Sequence, residues 1–175
     1  YSIYINPLGM VADNKTITSN ASFQSYRFNN LYPNASLFIS IFDESTLNLI
    51  TQNITVTLTD VTNPTISYGS TLNGNVTFLN LRGGDIYEVR FSSVNYTNNR
   101  YYRTVVQTQY DRLNAYLLLN GLNQSISMCF YNTNGVYIPS LHVYQSVLSS
   151  SGYLITQDQF TDINGKTSFI FNPST

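Results

Sequence analysis

The chain has 175 residues, eight Lys and Arg against nine Asp and Glu, a net charge of −1 and only 10% charged residues. Such a balance offers no basic field for nucleic acid, and no stretch approaches the roughly 18 apolar residues of a membrane-crossing helix. A single cysteine, Cys129, allows neither an intrachain disulfide nor a multi-cysteine metal site.

Hydrophobic residues make up 42% of the chain, too many for disorder. Its polarity is carried by Asn, Ser and Thr, as on many secreted and particle-surface proteins. The chain begins at Tyr1 without Met and without a signal peptide, which reads as a processed product or an excised piece.

Period-two alternation dominates from the first residues. Tyr1 to Ile5 alternates as a strand, and Phe23 to Phe28 is a second extended run. Leu37 to Phe42 places 37, 39 and 41 on one face, and Phe38 and Phe42 make the other face apolar too. Ile54, Val56 and Leu58 alternate with Thr55, Thr57 and Thr59, whose β-branches suit a pleated outer face. Val76 and Phe78 share one face of the next strand. Ile86, Val89 and Phe91 follow with Tyr87 between them, and Tyr101 to Val106 and Leu113 to Leu119 supply two more strands. Arg82-Gly83-Gly84-Asp85 is a tight turn, Asn73-Gly74 and Asn134-Gly135 are hairpin signals, and Asp162 to Gly165 is a further turn.

The pattern is written twice. Leu37 to Glu44, Asn53 to Leu58 and Gly74 to Phe78 are followed by Ser125 to Phe130, Ser140 to Tyr144 and Gly165 to Phe169. Phe42 and Phe130 lie 88 positions apart and Phe78 and Phe169 lie 91 apart, the mark of two related units. The second copy stops short of strands that the first contains. The organisation expected is an N-terminal strand segment at 1–33, a first β-sandwich at 34–120 and an incomplete second at 121–175.

Gly74 to Val89 resembles the G-x-x-x-F-x-x-L-x-x-G-x-Y-x-V core of carboxypeptidase regulatory-like and collagen-adhesin B-type domains, and Tyr96 resembles the turn tyrosine that follows. Asn132 to Pro139 and Thr161 to Phe169 resemble the partner motifs of such repeats. The resemblance implies all-β, tandem antiparallel sandwiches of the Ig-like or prealbumin-like kind, the second lacking its last strands, with no catalysis and no cofactor. It implies spacers, stalks and binding modules of secreted proteins, cell surfaces or virions. Some adhesin B-type domains carry a Lys–Asn isopeptide bond; the only lysines here, Lys15 and Lys166, lie outside a first core strand, so none is expected.

Individual residues add little chemistry. Cys129 and His142 are the one nucleophile-and-base combination, and no motif around them supplies an orienting group or an oxyanion site. Asp162-Ile163-Asn164-Gly165 starts like a calcium loop but lacks the later ligands, so a turn is expected. Asp43, Glu44 and Asp60 are candidates to gather at one end of a sandwich. Tyr101, Tyr102 and Tyr131 are the candidates for a glycan-binding face. Sequons for N-glycosylation stand at Asn14, Asn20, Asn34, Asn53, Asn75, Asn95 and Asn123; about five would arise at this composition by chance.

The reading that follows is a non-enzymatic structural protein of an extracellular, cell-surface or virion-surface assembly, associating with itself. An unfinished sandwich exposes an edge that a strand from another subunit can complete, and Tyr1, Ile3 and Ile5 are the proposed strand donor. The alternatives are an adhesin or carbohydrate-binding module, and a fragment of a longer repeat protein.

Overall fold

In a computed structural model, residues 2–5, 13–16, 34–97, 100–104, 110–121, 123–150 and 152–173 are described, with 2–5, 13–16, 100 and 102–104 described through their backbone alone. Every regular element among them is a strand. In chain order these are β1 (Ser2–Ile5), β2 (Asp13–Thr16), β3 (Asn34–Asp43), β4 (Ile54–Asp60), β5 (Ile66–Thr71), β6 (Asn75–Arg82) and β7 (Ile86–Ser92). The rest are β8 (Arg100–Thr104), β9 (Tyr110–Leu117), β10 (Gln124–Cys129), β11 (His142–Ser149), β12 (Gly152–Phe160) and β13 (Lys166–Phe171). The run Phe23 to Phe28 lies outside the described residues.

Strands β3 to β9 form one sandwich, with sheets in the order β6-β3-β9 and β5-β4-β7-β8. Its core is the set of alternating residues: Leu37, Ile39 and Ile41 of β3 face Ile54, Val56 and Leu58 of β4, all at most 1% exposed. Each such side chain contributes about 1.5–3 kcal/mol of burial. Phe38 and Phe42, on the other face of β3, stack on Tyr110 and Tyr116 of β9 at 6.2 and 5.5 Å between ring centroids. In β7 the inward residues are Tyr87, Val89 and Phe91, and Ile86 is exposed, so Tyr87 belongs to the core and Ile86 does not. The Tyr87 hydroxyl accepts from the Arg82 N–H at 2.9 Å, which gives this buried phenol its partner. Tyr96 is buried and donates to Asp43 Oδ2 at 2.9 Å, tying the β7–β8 connection to the end of β3.

Three features depart from the sequence expectation. The first and last strands of this sandwich, β3 and β9, pair parallel, with Ile39 beside Leu113 and Ile41 beside Ala115. Asn73-Gly74 joins β5 to β6, which lie in different sheets, so it turns a corner and does not close a hairpin. β5 and β12 extend beyond the alternating runs: β5 carries Gly69 and exposed Tyr68, and β12 is interrupted by a register shift opposite Gln145/Ser146.

Strands β10 to β13 repeat the pairing of β3 to β6. β3 pairs antiparallel with β6 and β4 with β5; β10 pairs antiparallel with β13 and β11 with β12. The match extends to landmark residues, for Phe78 sits opposite Leu37 and Phe169 opposite Ile126. Among the described residues from 123 onward, nothing corresponds to β7, β8 or β9. β1 and β2 form a separate two-stranded antiparallel sheet, Ile3 opposite Lys15 and Ile5 opposite Asp13.

Candidate functional site: an open apolar slot

On β3 one edge is taken by β6 and the other by β9, and on β4 one edge is taken by β5 and the other by β7. Among the described residues the same places beside β10 and β11 hold no strand, and each of these has a single partner. Between them lies an open cleft of about 600 Å³, lined chiefly by Ile126 and Met128 of β10, Phe169 and Phe171 of β13, and Val147 and Leu148 of β11. Pairing explains the lining: Ile126 opposite Phe169 puts both on one face, with Met128 and Phe171 two residues along their strands on that same face. The remaining lining residues, Tyr144, Gln145, Ser146 and Asn172, are uncharged. Ile126 stays 46%, Tyr144 60% and Leu148 69% exposed, although the alternation marks them as a strand's inner and flanking positions.

The opposite edges are closed. The Gln157 amide, 1% exposed, accepts from the Ile170 N–H at 3.1 Å and donates to the Ile170 carbonyl. Gln159 Nε2 donates to the Ser168 carbonyl at 3.0 Å. These side chains therefore do for β13 what a neighbouring strand would do. On β12, the Thr156 carbonyl accepts from the Tyr101 hydroxyl, which is also 2.6 Å from the Tyr116 carbonyl, so β12 leans on the first sandwich.

The sequence-marked residues scatter. Tyr101 is 1% exposed and edge-on to Phe91 at 5.6 Å: it is a core residue and cannot form part of a glycan face. Of Tyr102 only the backbone, in β8, is described. Tyr131 is exposed and lies 5.1 Å from Tyr137, the two rings tilted by 33°. Cys129 Sγ lies 3.4 Å from the Asn164 carbonyl, and His142 Nε2 bonds Asp158 across β11 and β12, its ring stacked on Phe160 at 4.8 Å. The two belong to separate sheets and have separate partners. Asp162 Oδ1 accepts from the N–H groups of Asn164 and Lys166 at 2.8 and 2.9 Å, so this carboxylate closes its own turn.

The acids do not gather as expected. Asp60 faces Asp85, not Asp43 and Glu44, and its Oδ1 accepts from the N–H groups of Thr62 and Asn63, both at 2.9 Å. Burial, then the charge and hydrogen bond of Asp60, raise the Asp85 carboxyl, against the pull of Arg82 at 3.9 Å. Glu44 is 7% exposed and neither of its oxygens has a hydrogen-bond partner. Burial and then the neighbouring Asp43 push it to about 7. No group of three or more His, Cys, Asp and Glu side chains clusters among the described residues.

Of the sequons, Asn53, Asn95 and Asn123 are exposed, and Asn34 and Asn75 are half-buried. Asn34 Nδ2 donates to Asn80 and Asn75 Nδ2 to the Asn73 carbonyl, both at 3.3 Å, and Asn95 Nδ2 to Gln52 at 2.6 Å. Asn14 lies in β2 with its side chain outside the described part, and Asn20 lies outside it altogether, as does Tyr1. Ile3 and Ile5 are in β1. Lys15 is in β2 and Lys166 opens β13, both away from β3 to β9.

No protein family and no curated protein matches the chain. Among solved structures it is similar to the Bacillus anthracis TIE protein, with a TM-score of 0.40 and 16% identity over 79% of this chain and 26% of that one. It is similar to a streptococcal ancillary pilin, with a TM-score of 0.39 and 10% identity over 96% of this chain and 62% of that one. A third, S.CueP, gives 0.37 and 14% over 69% of this chain and 80% of that one. The chain thus spans about a quarter and under two thirds of the first two. Similarity at this level decides nothing about function.

Proposed function

We propose that this protein is a non-enzymatic structural module of an extracellular, cell-surface or virion-surface assembly, and that its second half works as an acceptor for an added strand. The observation that carries this reading is the slot between β10 and β11. Its apolar walls, Ile126, Met128, Phe169 and Phe171, stand where the first unit has a closed core, and two strand edges beside it have no partner among the described residues. Water in such a slot is displaced at a gain, and a strand laid along an edge satisfies the free N–H and C=O groups there. Among the described residues Cys129 and His142 make no joint site, and buried Asp60 and half-buried Asp85 face each other without a third His, Cys, Asp or Glu side chain. This favours a mechanical role over a chemical one.

The test is association. Ile126→Lys puts a charge at the rim of the slot, at a half-exposed position where folding tolerates it. Light scattering should show the wild-type chain associating with rising concentration and the variant remaining a single chain. Association unchanged by Ile126→Lys would remove the basis for the reading.

One observation favours a second reading, a glycan-binding surface module. The exposed Tyr131–Tyr137 pair, beside the turn at Asn132 to Gly135, presents two ring faces of the kind sugars stack on. Loss of signal on a glycan array for Tyr131→Ala with Tyr137→Ala would support it; no signal from the wild-type chain would end it.

A further inference from the structure

The internal repeat specifies what the acceptor takes. β9 lies parallel on the edge of β3 that corresponds to the free edge of β10, with Asp111 beside Leu37 and Leu113 beside Ile39. Leu37 and Ile39 correspond to Ile126 and Met128, because the first pair faces Phe78 and Val76 and the second faces Phe169 and Thr167. A strand added to β10 in the manner of β9 therefore runs parallel to it and places alternate residues beside Ile126 and Met128. The β13 side is unavailable, since Gln157 and Gln159 already bond its backbone.

Resting on the acceptor reading above, we infer that the added strand is β1 of a second copy of this chain, bound parallel along β10 with Ile3 beside Ile126 and Ile5 beside Met128. Three observations select it. Among the described residues the sheet β1–β2 has two strands, and a two-stranded sheet alone in water is marginal. The sequence of β1, Ser-Ile-Tyr-Ile, is uncharged and alternating, so Ile3 and Ile5 share a face, and it matches a slot whose lining residues are all uncharged. Its partner β2, Asp-Asn-Lys-Thr, carries both charges of the hairpin. Charged edge strands end sheet growth, so the composite sheet β13-β10-β1-β2 closes on charge at one side and on glutamine amides at the other. Both chains contribute different surfaces, a heterologous contact that builds rings or filaments.

Complementation between two full-length variants tests the inference. Ile3→Ser with Ile5→Ser can accept but not donate; Ile126→Lys can donate but not accept. Each alone should remain a single chain in sedimentation, and an equimolar mixture should recover a two-chain complex and nothing longer. Matching circular dichroism melts with wild type show that strands β3 to β9 are intact in both. If the Ile3→Ser, Ile5→Ser variant assembles like wild type while Ile126→Lys does not, the donor assignment is wrong and the acceptor reading stands. If both assemble like wild type, the two fall together. A wild-type chain that stays single at every concentration, because its hairpin or a continuation of its own chain occupies the slot, overturns the second-copy inference.

Discussion

Glu44 sits at the end of β3 with both carboxylate oxygens unpartnered, beside an Asp43 whose own oxygens are taken by Ser45, Thr46 and Tyr96. Burial and then Asp43 raise it to about 7, well above its ordinary 4.5. A carboxyl with a raised folded-state value contributes most below its unfolded value and loses that contribution as pH rises through the folded one. Urea melts of the wild-type protein should therefore show stability falling by about 3 kcal/mol between pH 4 and pH 8 on this account. Glu44→Gln should remove the fall that runs from about 4.5 to about 7 and be the more stable chain at pH 8. A pH profile unchanged by Glu44→Gln would show that this carboxyl is not what titrates. Asp85, raised by burial and by Asp60, adds a contribution of the same sign that survives the substitution.

At the scale of elements, two turns that read alike in sequence differ in the structure. Gly135 and Gly165 both follow Asn and both have positive φ, 77° and 66°. A Cβ on Gly135 meets nothing within 4 Å, whereas one on Gly165 comes within 2.6 Å of the Phe130 carbonyl oxygen. Gly165→Ala should cost about 1–3 kcal/mol more than Gly135→Ala in thermal or urea melts, because both incur the left-handed backbone cost and only one must move backbone. Equal costs would mean that the β10–β13 end yields freely. The strands with clean alternation, β3, β4 and the inner part of β9, were legible in the sequence. β5 and β12 were not: exposed Tyr68 and Gly69 break the period in β5, and a bulge breaks it in β12. A tyrosine between Ile86 and Val89 carries no sign of which face it takes; Tyr87 turns inward, where the backbone amide of Arg82 gives its hydroxyl a partner.

For the whole molecule, the repeat was legible through Phe78 and Phe169, and the structure extends it to strand pairing; the other landmark is one residue out, because Phe130 stands where Ile41 does and not Phe42, the Ile41 and Phe130 N–H groups donating to the Gly74 and Gly165 carbonyls. The candidate site was legible as an absence of strands, without its walls. Which edge of the second unit is open depends on Gln157 and Gln159, and two glutamines in a polar stretch carry no local signal that they bond a strand nine to thirteen residues further along the chain. Tyr101 illustrates the reverse. As one of two adjacent tyrosines it resembles a surface aromatic, yet its hydroxyl reaches the carbonyls of Tyr116 and Thr156 and joins the two units.

The parallel pairing of β3 with β9 also dictates the order of events as the chain folds. Ser36 meets Tyr110 and Asp43 meets Leu117, so the first sandwich cannot close until most of its sequence is present. The second half contains mainly nearby partners, β11 with β12 across one short turn. Distant pairings fold slowly because their loop entropy is lost before contacts reward it. During that interval β3 has an unclaimed edge, as β10 has among the described residues. The late arrival of β9 thus leaves the β3 edge open longest, and an edge that closes slowly is where incompletely folded chains of this kind pair wrongly with one another.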